Sequence, residues 1–306
     1  MSAEEIERDS LGGRARPRIV ETFELLLRNP MSLVASLIIV VLVVVALLGT
    51  TLAPYDATRV DVPNALQGPS GQHWFGTDEL GRDVFSRVLL GAEVSLRVGL
   101  VAVGISLVAG VVIGLLAGYY GRWVDDSLMR GMDVLFAFPA ILMAIVVLAI
   151  LGPGVTNAMI AIGIVYTPIF ARVTRAGVLS VREEVYVRAA RSAGAGDARI
   201  LVRHVLPNVT APIIVQTSIS LAFAILSEAA LSYIGLGTQP PEPSWGRMLA
   251  DGRGFIADAW WMALFPGIAI FVTVLAFNLL GDGLRDVLDP RQRAAMTGTT
   301  GKEGRR

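Results

Sequence analysis

Long apolar stretches free of charge recur along this chain, and they set its first reading. A helix needs roughly 20 mainly apolar residues to cross the hydrocarbon core of a membrane, with about 17 as a short limit. One such stretch is centred on Leu33–Leu52 and a second covers Val98–Gly121. The window Val134–Ala171 is too long for one span, and Leu151-Gly152-Pro153-Gly154 breaks it. That Gly-Pro-Gly run is a strong turn signal, so the window reads as a hairpin of two short spans. Val205–Ser227 supplies the fifth span, running on to about Tyr233, and Ala259–Gly281 the sixth.

The polar intervals give the orientation. Twenty of the basic residues fall before span one, between spans two and three, between four and five, and after span six; six fall in the opposite loops. By the positive-inside rule both termini are cytoplasmic, which requires an even number of spans. All five tryptophans (Trp74, Trp123, Trp245, Trp260, Trp261) lie outside or at the ends of the spans, where an amphipathic ring prefers the interface. The expected fold is therefore an all-α integral membrane protein with six transmembrane helices. The expected division is a cytoplasmic tail over 1–30, a first span over 31–54 and an external loop over 55–95. A five-helix core over 96–290 contains a cytoplasmic loop at 172–207, and a polar tail over 291–306 is expected to be disordered. The first apolar segment follows about 30 residues and its run is nearer 20 than 7–15, so it reads as an uncleaved anchor and not a signal peptide.

Composition narrows the function classes. The 306 residues are 54% hydrophobic and 17% charged, with mean hydropathy +0.61. Net charge is zero, which gives no global case for nucleic-acid binding. There is no cysteine, so thiol nucleophiles and cysteine metal sites are excluded. His73 and His204, the two histidines, are expected on opposite sides of the membrane. Gly298–Glu303 has the wrong spacing for a phosphate-binding loop. No catalytic residue, cofactor site or metal site is expected in this chain. Glu228 is the one charge within the span cores, near the outer end of span five. It serves either as a hydrogen-bond partner of a neighbouring helix or wet cavity, or as a gate. Gln216, Ser218 and Ser220 form a polar stripe on the same span that fits a pathway lining and helix packing equally well.

The loop after span four carries the most information. Val181–Gly194 reads as a short amphipathic helix, with Val181, Val185, Ala189 and Ala193 on one face. Tyr186 lies beside that face, and Glu184 stands four residues before Arg188, the favourable order for an ion pair. Gly194 supplies the stop. Asp197 is a candidate N-cap for a second short helix, and Pro207 suits the first turn of span five. The small side chains of Ala189 and Ala190 would admit close approach by another protein. A solvated basic loop fits these residues as well.

Here a resemblance enters. Arg188-Ala189-Ala190-x3-Gly194-x9-His204-x-Leu206-Pro207 resembles the signature loop of ATP-binding-cassette importer permeases, Glu-Ala-Ala-x3-Gly-x9-Ile-x-Leu-Pro. Arg188 and His204 depart from it, so the motif's acidic group is missing. Further segments are similar to the second permease of dipeptide, oligopeptide and nickel importers: Arg28-Asn29-Pro30, Leu52–Tyr55, Phe75–Arg87, Pro243–Arg247 and Gly281–Pro290.

The resemblance implies the fold of type I importer permeases, and a coupling helix that docks on an ATPase subunit. Val185, Tyr186, Arg188, Ala189, Ala190, Ala193, Gly194, Leu206 and Pro207 would carry the coupling. It implies as partners a homologous permease, two ATPase subunits that bind ATP and Mg, and an external solute-binding protein, in a bacterial inner membrane. Peptides are the expected cargo, with nickel or another small solute as the alternative. Gln216, Ser220 and Glu228 are the candidate pathway or gate residues, and Trp245 and Arg247 the candidate contacts for the binding protein. Thr77 is expected to cap a short outer-surface helix bearing Phe85, Val88 and Leu89, held by weak local ion pairs of Asp78, Arg82 and Asp83. A secondary transporter is the runner-up, but it would need more intramembrane ionisable groups than Glu228.

Overall fold

A computed structural model describes Leu26 and residues 29–288. The basic residues and motif ends at 8–28 and 289–306, with the two tails, lie outside them. Ten α-helices follow in order among the described residues: α1 (Pro30–Leu52), α2 (Val84–Tyr120), α3 (Arg122–Phe136), α4 (Ala140–Leu151), α5 (Val155–Val181), α6 (Val185–Ser192), α7 (Asp197–Ile200), α8 (Leu206–Tyr233), α9 (Trp245–Gly252) and α10 (Trp261–Leu288). Among the described residues five helices are long and apolar enough to cross a membrane, six when the bent pair α3–α4 is counted as one span. The sole strand-like pairing among the described residues is an isolated bridge between Thr77 and Asp83.

Local chemistry places the ends. Asn29 caps α1 by accepting from the Met31 amide at 3.0 Å, and Pro30 fills the first turn, where its missing N–H costs nothing. The Gly-Pro-Gly turn between α4 and α5 forms as the sequence indicates, with Gly152 and Gly154 at φ +88° and +136°. Asn157 closes it by donating to the carbonyls of Leu151 and Gly152.

The core forms where small residues let backbones meet. Gly110, Gly114 and Gly118 lie one helical turn apart on α2 and press against Thr167, Ala171 and Arg175 of α5. A Cβ on Gly114 would overlap the Ala171 carbonyl oxygen. Small residues four apart allow this approach where burial from water drives nothing. Phe170, Ile162, Val178 and Val98 complete this central cluster. Peripheral α1 is attached by the same device: Gly49 meets the Leu89 backbone, and Gly283 of α10 receives Ser32.

Four expectations are corrected. The outer-surface helix is not separate: Asp83, not Thr77, caps a single 37-residue α2 that includes span two. Asp83 can do so because its carboxylate takes both the Ser86 amide and hydroxyl, at 2.8 and 2.7 Å, while Thr77 is spent on the Asn64 carbonyl and Gln67 amide. At 1.5 Å per residue α2 is about 55 Å long, so it projects well beyond the membrane. The third span is broken: Val134–Phe136 belong to α3, which meets the 12-residue α4 at 92°. Val181 ends α5 and does not begin the loop helix, which is shortened to Val185–Ser192. Asp197 stands in the first turn of α7, whose cap is Gly196, and a π-helical turn at Leu201–Val205 runs α7 into α8. Pro207 stands in the first turn of α8 as expected, with the π-helical turn immediately before it. Asn208 donates its side-chain amide to the His204 carbonyl at 2.7 Å within that distorted turn.

Candidate coupling loop and external clamp

Within the loop between α5 and α8, α6 has one fully buried side chain. Val187 is 0% exposed and sits in the central cluster with Ile200, Leu201 and Val205. The predicted apolar face points the other way: Val185 is 71% exposed and Tyr186 42%. Arg188, Ala189, Ala193 and Gly194 are also exposed, and Ala190 is half-buried. Glu184 and Arg188 do not pair; Arg182 instead pairs with Glu183 at 3.0 Å. Gly194 adopts φ +80° with open space around it, and its amide bonds the Arg191 carbonyl, so it turns the chain without packing against anything. Leu206 packs beside the central cluster, whereas Pro207 is exposed. A small, outward, partly apolar helix with a single fully buried side chain is suited to be gripped by another protein.

The loop is fastened to the end of α2. Tyr119 donates its hydroxyl to Asp197 at 2.7 Å, and the Arg191 guanidinium stands 5.4 Å over the same ring. Arg182 donates to the Gly118 carbonyl at 2.7 Å. Beside it, α3 is pinned to α5 by the two-pronged Arg175–Asp125 pair and by Arg172–Asp133 at 2.7 Å.

At the opposite end a buried ionic cluster joins the 55–83 loop to α9. Arg82 grips Asp78 at 2.6 Å and Glu79 at 3.1 Å, and Arg87 lies 3.5 Å from Asp78. Both arginines stand 3.8 Å from Asp251, which Arg247 holds at 2.8 Å. Asp78, Arg82 and Arg87 are buried, so the expectation of weak, water-exposed pairs is corrected: withdrawing one partner would strand a charge. Burial and the neighbouring Asp78 charge raise the pKa of Glu79. Trp261 donates its indole N–H to the Thr77 carbonyl at 3.0 Å, and Phe75 stacks on Phe265 at 3.8 Å.

The structure also places the remaining candidates. Trp245 is 1% exposed, donates to the Val88 carbonyl and packs on Gly91. The expectation that it touches an external protein is therefore corrected, because its ring is buried in a cluster formed with residues of α2, α8 and α10. Arg247 keeps part of its side chain in solvent. Glu228 is buried and accepts from Ser232 at 2.6 Å, Thr238 at 3.2 Å and Ser95 at 3.3 Å. It staples α8 to α2 and to the loop before α9. Gln216 donates to Ser220 at 3.1 Å, while Ser218 bonds the Phe277 carbonyl of α10 at 2.7 Å. Ser218 is thus spent on packing against α10, while Gln216 and Ser220 bond each other along α8 and Gln216 alone of the three is not buried. The Gly110–Gly118 ladder was readable as three glycines four apart. The ionic cluster was not, since Asp251 lies far from Asp78 in sequence.

The chain is a multi-pass helical bundle with an outward loop helix between two spans. The chain belongs to the binding-protein-dependent transport system inner membrane component family, whose profile matches residues 110–294. Residues 20–69 match the N-terminal transmembrane domain of oligopeptide transport permease C. The chain is thus an ATP-binding-cassette importer permease of the peptide-transporter group. It is 48% identical over 274 residues to a dipeptide transport system permease of Alkalihalophilus pseudofirmus, covering 90% of each chain. It is 51% identical over 265 residues to a glutathione transport system permease of Escherichia coli O6:K15:H31, covering 86% of this chain and 88% of that one. An inward-facing methionine importer, MetNI, shares the fold at TM-score 0.53 and 16% identity, over 66% of this chain and 96% of the other.

Proposed function

We propose that this chain forms half of the translocation pathway of an ATP-driven importer for short peptides in a bacterial inner membrane. A homologous permease supplies the other half, and an external binding protein delivers the cargo. Two ATPase subunits bind ATP and Mg and carry out hydrolysis, one of them gripping α6. The observation that carries this reading is α6 itself, with Val185, Tyr186, Arg188 and Ala189 turned outward between two spans. Relatives named for dipeptide and glutathione transport support a peptide cargo. Movement of α6 reaches the bundle through the π-helical turn and α8 as a rigid shift.

Copurification tests the docking. ATPase subunits should accompany the solubilised chain, and Ala189→Trp should release them, because an indole replaces the small side chain at the contact. Uptake by the chain alone, insensitive to ATP depletion, would overturn the reading.

A further inference from the structure

Three helices are attached to the loop that carries α6: α5 and α8 along the chain, and α2 through side chains. The chain path runs through α8, but Tyr119, Gly118 and the ring face under Arg191 tie the same loop to the end of α2. Tyr119 is itself buried in the central cluster alongside Val187, Ile200 and Leu201. Unlike α8, which enters the loop through a π-helical turn, α2 runs as one α-helix from Tyr120 back to Val84. Its outer end is embedded in the external clamp: Asp83 caps it, Arg87 faces Asp78 and Asp251, and the Val88 carbonyl holds Trp245. Ser95 of the same helix reaches Glu228.

Building on the proposed function, we infer that Tyr119 is a positioning residue for transport, locking α2 to the coupling loop through Asp197. Nucleotide-driven displacement of α6 then travels along α2 to the external layer, where the binding protein releases its cargo. The loop and α2 move as one body. Loss of the Tyr119 hydroxyl leaves α6 docked on its ATPase but lets hydrolysis proceed without moving α2.

The test uses the complete transporter with its binding protein in proteoliposomes, fed a tryptic casein digest. Peptide uptake is read by mass spectrometry and ATP hydrolysis by phosphate release. Tyr119→Phe should keep its copurified ATPase subunits and raise ATP consumed per peptide about fivefold or more, the low end of ordinary coupling between sites. Asp197→Ala should do the same, and the double substitution no more than either alone. The chain has no native cysteine. Tyr119→Cys with Asp197→Cys, bridged by a bifunctional thiol reagent, should therefore return the ratio toward the unsubstituted value. A purely structural tyrosine would not give that rescue. An unchanged ratio in Tyr119→Phe, or no recovery on bridging, overturns the inference while leaving the importer reading intact. If the unsubstituted transporter shows no ATP-dependent uptake, the importer reading itself fails.

Discussion

Arg175 of α5 holds Asp125 of α3 with two parallel hydrogen bonds, Nε to Oδ1 at 2.5 Å and Nη2 to Oδ2 at 2.6 Å. The planar guanidinium matches the carboxylate fork, so the pair fixes orientation as well as distance. It sets how α3 leaves the Gly121 turn before the bend into α4. Arg175 is about one-third exposed, so solvent weakens the pair and about 1 kcal/mol is its expected worth. Asp125→Ala and Arg175→Ala should each cost about that much, and the double variant scarcely more. Unfolding midpoints in a double-mutant cycle check this, and additive single effects would sink it.

The glycine ladder predicts a sharp positional contrast. Gly114→Ala places a methyl on the Ala171 carbonyl and against Thr174, so α2 and α5 must separate. Overpacking of this kind costs about 1–3 kcal/mol. Gly104, with nothing near its Cβ position, is the internal control. Gly104→Ala should be neutral or slightly stabilising, since alanine is the better helix former. Equal loss of membrane accumulation in both variants would refute the close-approach account.

Glu228 is a structural staple in this geometry. Glu228→Ala leaves Ser95, Ser232 and Thr238 without their shared acceptor, at a cost of about 3 kcal/mol. Glu228→Gln keeps one acceptor oxygen and should be milder. The loop 234–244 should become sensitive to protease added outside in the alanine variant first. Unchanged protection there would mean that the carboxylate does not hold the loop.

What the sequence disclosed follows from the physics of each element. Spans and the Gly152–Gly154 turn were legible because apolar length and left-handed glycine are local properties. The amphipathic loop helix was legible from its residue pattern, but its inward residue was not. The four-residue repeat of Val181, Val185, Ala189 and Ala193 marks an apolar face without saying whether the chain itself or a partner covers it. Val187 is the plug, and only the packing of α7 and the π-helical turn reveals that. Likewise Asp78 and Arg82 looked like a solvated local pair, because nothing near them in sequence announces Asp251.

Acid titration of the external clamp has a defined sign. Burial and Asp78 hold the folded Glu79 carboxyl above its ordinary pKa, so its ionised form is disfavoured by folding. A raised carboxyl destabilises above its folded pKa, and the penalty fades as pH falls to the unfolded value. Glu79→Gln should therefore raise the melting temperature at pH 7, with a gain that shrinks steadily toward pH 4.5. A gain independent of pH would dismiss the electrostatic explanation.

Orientation is tested by single cysteines at Ala189 and Glu242, both exposed in a cysteine-free chain. Ser244, two residues on, is fully buried and unsuited to labelling. An impermeant maleimide should reach Glu242→Cys in intact cells and Ala189→Cys only after the membrane is opened. Labelling of both from one side would refute the six-span topology.

Because Val187 is the one fully buried side chain of α6, the inner and outer surfaces of the helix are separable design problems. The socket asks for one β-branched side chain and is indifferent to what the far side of the helix displays. Under the proposed function, Val185, Tyr186, Arg188 and Ala189 can then be exchanged as a set to change which ATPase the permease accepts, with the bundle folding as before. A permease built this way is modular at its drive shaft.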